Sequence, residues 1–428
     1  MIVAISSPAN AFTDECTQDP IYPVNPYENG YAASDCSLDG NGSLALIGEF
    51  GAPDLDPQSG LTSVGAALIF HHASGVWTEV QKIQHALPAS NDVFGASVAV
   101  SGRFAIVSAP GRSSGVGGIF FFERDVLEPS SSQWSQFSEI GNPSGEVDGF
   151  GGSTTQHEAV AIDGSIAVVS AHLADGGTSV GSGRVYVYVY DVIQSQWVYE
   201  TTLKPPYPDD TQECSFGYSV EIDGNRVIVG APFFAAGTSG QYTRAGKAYV
   251  FTRTGPGASG WTLEGQLVSD SSDPSYEYLG WSVSIDGNAA LVGAKGGTSS
   301  PAGFATVFAY SVSTHQWSSY ADLNPSTTAI GFGFSVALSS SMAVVGAPFA
   351  GTDLSGRAFV YRRSSGAWNE VLILDSSSPS GPVDQLGATL ALRGSQAIIG
   401  ALGSSETSQM PKTGSVVFFG DLPDPDCQ

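Results

Sequence analysis

Phe216-Gly217-Tyr218-Ser219-Val220-Glu221-Ile222-Asp223-Gly224-Asn225, followed by Val227-Ile228-Val229-Gly230-Ala231-Pro232, is the stretch that decides the fold. A Phe-Gly pair opens an alternating segment, Asp-Gly turns the chain, and an apolar segment ends in Gly-Ala-Pro. The opening pair recurs at Phe94-Gly95, Phe150-Gly151, Leu279-Gly280, Phe332-Gly333 and Leu386-Gly387, with a worn copy at Ala32-Ala33. From Phe94 onward the starts are 56, 66, 63, 53 and 54 residues apart. A period of that size points to a propeller or another stacked array.

Each repeat holds four short β-patterned segments, and no segment sustains a helical period. The first alternates, as in Ser219-Val220-Glu221-Ile222, and ends at Asp163-Gly164, Asp223-Gly224, Asp286-Gly287 or Ser101-Gly102. Asp-Gly suits a two-residue hairpin with both turn residues at positive φ. The second segment, as in Ala343 to Pro348, is continuously apolar, as expected of a strand covered on both faces. Aromatics such as Tyr186, Tyr188 and Tyr190 mark the third. The fourth begins at Trp77, Trp134, Trp197, Trp261, Trp317 or Trp368, whose indole is expected to pack on the neighbouring repeat with its N–H near an acceptor.

Seven repeats predict an all-β, seven-bladed propeller of four-stranded antiparallel blades occupying residues 1–428 as one domain, with blades starting near 32, 94, 150, 216, 279, 332 and 386. Only six Trp strands are present, so the last blade lacks its outermost strand. Residues 1–8 begin with an orphan apolar segment, Met1 to Ile5, which is expected to supply that strand and close the ring. Ile2 to Pro8 also reads as a relic second strand, the competing interpretation.

With Lys plus Arg at 16 against 41 Asp plus Glu, the formal charge is −25, which makes nucleic acid and anionic membrane poor partners. No apolar run approaches a bilayer span and no signal peptide is recognisable. The reading leans towards a secreted or cell-surface protein, processed or made without export. Cys16, Cys36, Cys214 and Cys427 show no metal or redox spacing and are disulfide candidates. A bridge from Cys16 or Cys36 to Cys427 would sit near the closure.

Phe-Gly followed by Gly-Ala-Pro in blades of this size resembles the FG-GAP repeat family, known from the head of integrin α subunits and from secreted bacterial repeat proteins. The resemblance implies an extracellular adhesion or ligand-recognition platform, an inference by analogy of fold. The integrin-type calcium loop is missing. Ile222-Asp223-Gly224-Asn225-Arg226 is a bare hairpin, too poor in oxygen for calcium. No metal site or cofactor is therefore expected. Asp92, Asp148, Glu277 and Asp384 lie two residues before an opening Phe or Leu, with Glu213 three before one, and are expected to hold turn amides rather than metal.

The six histidines show no metal-ligand spacing and no catalytic motif stands out, so the chain is read as non-enzymatic. Clustered carboxylates or histidines at the mouth of the central channel would point the other way. Recognition is expected on the variable loops between second and third strands, which all emerge on one face. They carry Asp54, Asp56, Arg112, His172, Asp175, Phe233, Phe234, Tyr242, Arg244, Lys295, Phe349 and Asp353. The Phe233 to Arg244 loop combines aromatics and a cation, suiting a protein hot spot or a sugar face. Phe233 and Phe234 can equally cap the channel or pack on the next blade. The function expected is recognition of a macromolecular protein partner, possible membership of a surface assembly included, with a lectin binding a glycan as the alternative. Asn41-Gly42-Ser43 is a glycosylation sequon that also reads as a plain Asn-Gly turn.

Overall fold

A computed structural model describes residues 31–125, 133–153, 158–175, 181–206, 213–237, 243–296, 303–351, 354–375, 384–403 and 414–419. Seven antiparallel sheets follow one another in chain order, making a seven-bladed β-propeller. Blade 1 holds β1 (Ala32–Leu38), β2 (Leu44–Glu49), β3 (Ala66–Ala73) and β4 (Val76–Ile83). In blade 2 the strands are β5 (Val98–Ser101), β6 (Phe104–Ala109), β7 (Gly118–Arg124) and β8 (Trp134–Gly141). Blade 3 comprises β9 (Val160–Asp163), β10 (Ile166–Ala171), β11 (Arg184–Asp191) and β12 (Gln196–Leu203). Next come β13 (Val220–Asp223), β14 (Arg226–Ala231), β15 (Lys247–Arg253) and β16 (Trp261–Leu267) of blade 4. Blade 5 is β17 (Leu279–Asp286), β18 (Ala289–Ala294), β19 (Phe304–Ser311) and β20 (Gln316–Leu323). In blade 6 stand β21 (Ser335–Ser339), β22 (Met342–Ala347), β23 (Arg357–Ser364) and β24 (Ala367–Asp375). Blade 7 has three strands among the described residues, β25 (Leu386–Arg393), β26 (Gln396–Ala401) and β27 (Ser415–Phe419). The expected closing strand within residues 1–8 lies outside the described residues.

The physical reason for the repeated motif is the contact between neighbouring blades. A Cβ on Gly48, Gly230, Gly293 or Gly346 would collide with the carbonyl oxygen of Gly95, Gly280, Gly333 or Gly387, the opening glycine of the next blade. The two glycines of the motif face each other across a blade boundary, where any side chain would hold the sheets apart. The opening Phe is fully buried at positions 94, 150, 216 and 332 and packs on aromatics of its own third strand, as Phe216 does against Tyr249 (5.3 Å) and Phe332 against Phe359 (5.2 Å). Such edge-on pairs add packing beyond simple burial.

Each of seven apolar cores combines residues of two consecutive blades, and one of them joins blade 7 to blade 1 through Ile398, Val416, Phe418, Ala33, Ile47 and Leu68. The sheets thus form a closed cycle of neighbours. Trp77 stacks on Phe418 (4.7 Å) and Trp197 on Phe121 (4.5 Å), each indole lying on the preceding blade as its position implies. Indole donation is less regular. Trp261 donates to Glu200 (2.8 Å) and Trp317 to Glu264 (3.0 Å), whereas Trp134, Trp197 and Trp368 find no acceptor among the described residues.

Two sets of polar latches run round the ring. On the inner strands, Ser34, Ser219 and Ser335 donate through their hydroxyls to the opening glycine carbonyl of the next blade, Gly95 (2.7 Å), Gly280 (3.2 Å) and Gly387 (2.7 Å). At the hairpins, Asp163 and Asp223 accept from the amides of Gly224 (2.7 Å) and Gly287 (2.6 Å), and Ser101 from Gly164 (3.0 Å). The turn geometry corrects the expectation. Asp163 and Asp223 are the last paired residues of their strands, and of each turn only Gly164 or Gly224 has positive φ, not both residues. Gly in the first turn position is the pattern of a II′ turn. The aspartate is thereby released to hold the next blade.

The disulfide expectation also changes. Cys36 is a buried thiol within the core between blades 7 and 1, and its proton is held by burial beside Asp35. The Cys214 thiol is buried and donates to the Ser182 carbonyl (3.1 Å). No bridge forms between them, and Cys16 and Cys427 lie outside the described residues. No helix among the described residues is long and apolar enough to cross a membrane. Asn41 is exposed in the first hairpin, where its side-chain oxygen accepts from the Ser43 amide (2.9 Å).

Candidate functional site

In an antiparallel four-stranded blade, the loops between second and third strands and the links from one blade to the next emerge on the same face. The residue after each opening pair stands where the innermost strand enters the ring from that face. In order it is Ser34, Ala96, Gly152, Tyr218, Trp281, Phe334 and Ala388. Blades 4, 5 and 6 present large aromatics and the other four blades present small residues. The mouth of the channel is therefore lopsided.

The aromatic side extends into a crescent. Tyr218 meets Trp281 at 4.5 Å and Phe233 at 5.7 Å; Trp281 meets Phe334 at 5.9 Å, and Phe334 meets Phe349 edge-on at 5.6 Å. Tyr278 completes it, 5.9 Å from Phe233. Two cations lie on these rings. The Lys295 ammonium sits 3.3 Å from the Trp281 centroid, and the Arg244 guanidinium stands 5.5 Å from that of Phe233 and donates to the Tyr278 hydroxyl (3.2 Å). Burial, assisted by the Arg244 charge, brings the Lys295 amine down to about 8. His172 closes the end of the crescent edge-on to Tyr218 (5.8 Å), and burial holds its imidazole neutral by pushing it down to about 4.

Of the residues expected from sequence, Phe233, Arg244, Lys295, Phe349 and His172 are gathered here. Phe234 is buried beneath the Lys247 ammonium (3.5 Å) of its own blade, in the core shared with blade 3, rather than over the channel or on the next blade. Arg112 is committed to Asp92 (3.3 Å), Glu139 (3.1 Å) and the Leu87 carbonyl (2.9 Å). Asp54 and Asp56 accept turn amides of their own loop, and Asp175 gives its carbonyl to Arg184. Tyr242 and Asp353 lie outside the described residues. Tyr218, Tyr278, Trp281 and Phe334 were missed, although the residue after the Phe-Gly or Leu-Gly pair was the signal that could have found Tyr218, Trp281 and Phe334.

Asp92 behaves as expected, accepting from the Ala89 amide (2.7 Å), whereas Asp148 accepts from side chains, the Asn142 amide group (2.6 Å) and the Ser144 hydroxyl (2.8 Å). Glu277 likewise receives side-chain hydrogen bonds, from Ser269 and Ser271, while burial raises its carboxyl.

Below the mouth, the inner strands line a narrow channel with a cavity of about 80 Å³, and three carboxylates, Asp35, Glu158 and Glu221, stand on its wall. Asp35 accepts from the Ser97 hydroxyl (2.8 Å) and the Val98 amide (2.9 Å) of blade 2, and burial outweighs these bonds, raising its carboxyl to about 7. Glu158 reaches blade 5, where Ser282 donates at 3.3 Å, and burial with the charges of Asp35 and Glu221 lifts its carboxyl well above the usual range. Glu221 accepts from the Ile285 amide (2.7 Å) and faces Arg393 of blade 7 at 3.7 Å, with burial raising its carboxyl too. These groups act as struts between blades. Among the described residues no three His, Cys, Asp or Glu are placed to hold a metal ion together.

Fold and mouth geometry define a β-propeller, an architecture of the binding and adhesion type. The chain carries FG-GAP repeats: the family model described as FG-GAP repeat matches residues 77–120, 197–251 and 317–361. Each match starts at a Trp strand and runs into the third strand of the following blade, so the sequence unit straddles a blade boundary. A search of curated proteins finds no match.

Proposed function

We propose that this propeller is a non-enzymatic, extracellular or surface-exposed binding module that recognises a macromolecular partner through its loop face, as one subunit of a surface assembly. The observation that carries the reading is the asymmetry between the two faces. The loop face bears the aromatic crescent with its two cations, and around it Leu55, Leu87, Val147, Leu173, Ile330 and Leu354 stand exposed. On the other face tight hairpins expose Val192, Ile193 and Val312. Aromatic and cationic anchors ringed by apolar contacts are the makings of a protein interface. The channel carboxylates are spent on hydrogen bonds between blades, which favours a structural use over catalysis.

A lectin is the second reading, favoured by a cleft of about 1040 Å³ between blades 5 and 6. Its lining combines hydroxyl and carboxylate groups, among them Ser269, Thr306 and Asp322, with the Phe349 ring. The test is binding of the labelled protein to the surface of the cells that produce it and, in parallel, to a glycan array. Replacing Leu173 and Ile330 by Ser is expected to abolish cell-surface binding while replacing Val192 and Ile193 leaves it intact; equal loss from both pairs would refute the face assignment. Specific glycan binding lost in Phe349→Ala would favour the lectin.

A further inference from the structure

The residue after Gly-Ala or Ser-Ala is proline in blades 2, 4 and 6, at Pro110, Pro232 and Pro348, whereas blade 5 reads Gly293-Ala294-Lys295. Blades 3 and 7 carry His172 and Leu402 there, so nothing in the fold requires a cation at this place. We propose that Lys295 and Arg244 form a seat for a carboxylate, presented by an aspartate or glutamate side chain of the partner. The inference deepens the binding reading above, on which it rests for the partner being a protein.

Three observations lead there. First, the two cations lack a counter-ion in a chain with 41 Asp and Glu. Among the described residues neither forms an ion pair with a carboxylate, whereas Arg112, Arg226 and Arg253 each hold one. Burial and the Arg244 charge are what act on Lys295, and Glu213 acts on Arg244 only through space, behind the Tyr278 phenol. The adjoining stretches 238–242 and 297–302 contain no Asp or Glu. A half-buried ammonium beside a second cation is relieved by an anion.

Second, spare donors gather round one ring. The Lys295 ammonium lies 5.4 Å and the Arg244 guanidinium 5.9 Å from the centroid of Tyr278. An ammonium offers three donors and a guanidinium five. Among the described residues only the bond from Arg244 to the Tyr278 hydroxyl (3.2 Å) engages any of them. Third, the cations are placed before a ligand arrives. The Arg244 carbonyl accepts from the Tyr278 amide (3.1 Å), and the Gly296 amide donates to the Glu277 carbonyl (3.2 Å). Loops of blades 4 and 5 are thus stitched to the one link that carries the shared ring. Trp281 lies 3.3 Å from the Lys295 ammonium and Phe233 5.5 Å from the guanidinium, which keeps both heads on the crescent. Charge held in place in this way loses less freedom on binding. Arg244 is exposed and Lys295 half-buried, so both are reachable from solvent.

Titration calorimetry at constant ionic strength tests this on the whole chain with the peptides Phe-Glu-Phe and Phe-Gln-Phe, blocked at both ends, and with glucuronate. The glutamate peptide is expected to bind about tenfold or more tighter than its glutamine twin. The formal charge of −25 repels it from a distance, so a preference for it reports the seat itself. Lys295→Gln and Arg244→Gln should each weaken the glutamate peptide by about tenfold and leave the glutamine peptide unchanged, while Lys295→Arg keeps the preference. Lys204→Gln, at an exposed cation away from the crescent, should keep it too. Thermal melts establish that each variant is folded. Equal affinity of the two peptides, no binding of the glutamate peptide up to about 10 mM, or an unchanged preference in folded Lys295→Gln would overturn the seat. Glucuronate binding where the glutamate peptide does not bind would overturn the protein source in favour of an acidic glycan. Cell-surface binding that depends on Leu173 and Ile330 without any preference for the glutamate peptide would sink the seat alone. The preference together with cell-surface binding indifferent to Leu173 and Ile330 would sink the face reading alone.

Discussion

The Thr389 hydroxyl of blade 7 donates to the Ala33 carbonyl of blade 1 at 3.1 Å, across 356 positions of sequence. It is the same latch that Ser219 makes with Gly280 and Ser335 with Gly387, so the last blade treats the first as its successor. A buried hydroxyl bond of this kind contributes about 1 kcal/mol net, and leaving the carbonyl unsatisfied costs somewhat more. Thr389→Val is expected to lower unfolding stability by about 1–2 kcal/mol in urea titration, with Thr389→Ser close to the parent. Equal losses in both variants would show that the hydroxyl is not what matters.

Gly346 tests the reason for the motif. A Cβ at that position would meet the Gly387 carbonyl, whereas one on Gly141, in an outer strand, meets nothing within 4 Å. Forcing blades apart is overpacking and costs about 1–3 kcal/mol or more. Gly346→Ala should therefore destabilise strongly while Gly141→Ala should be near neutral, as denaturant midpoints will show.

Glu200 is the clearest polar joint between blades 3 and 4. It accepts from Arg253, from the Trp261 indole (2.8 Å) and from the Gly257 amide (3.0 Å); burial alone would raise its carboxyl, but these bonds win and hold it below the ordinary value. Glu200→Gln should cost about 1–3 kcal/mol, and the wild-type advantage should fade in acid. Stability from a depressed carboxylate is complete above the unfolded value and is lost as pH falls through the folded one. A difference that persisted undiminished below the folded value would contradict this.

The channel carboxylates have the opposite sign. Asp35 is raised to about 7, so the native state retains its proton where the unfolded chain has released it. Stability from this group is complete below the unfolded value near 3.8 and is lost as pH rises towards 7. His172, lowered to about 4 by burial, works against it, costing stability as pH falls from 6.5 towards 4. Asp35→Asn should thus lessen the decline in stability between pH 4 and 7, and His172→Phe should lessen the loss on acidification. Denaturation series across that range would read both slopes.

Much of this architecture was legible because two glycines pack against each other at most blade boundaries, which stamps Phe-Gly and Gly-Ala-Pro into the sequence at a fixed period. The Trp strands were legible for a related reason: Trp77 and Trp197 cover the preceding blade. The hairpins misled because Asp163 and Asp223 look like turn residues, and only three dimensions show them paired in a strand and reaching the next blade. The site was half visible. Variable loops drew attention to Phe233, Arg244 and Lys295, but Tyr218, Trp281 and Phe334 lie inside the repeat itself, where aromatics read as core. Asp35, Glu158 and Glu221 could not be grouped in advance, because it takes the closed ring to bring strands from blades 1, 3 and 4 around one axis.

Closure of the ring by direct packing of blade 7 on blade 1 is the claim on which the channel, its lopsided mouth and the loop face all depend. Gly42 in the first hairpin lies against the Gln396 side chain at the start of β26, so spin labels on cysteines placed at Asn41 and Ser395, with native cysteines replaced, report the junction directly. Pulsed electron resonance should give one narrow, short distance. A long or broad distribution in the folded protein would mean an open array.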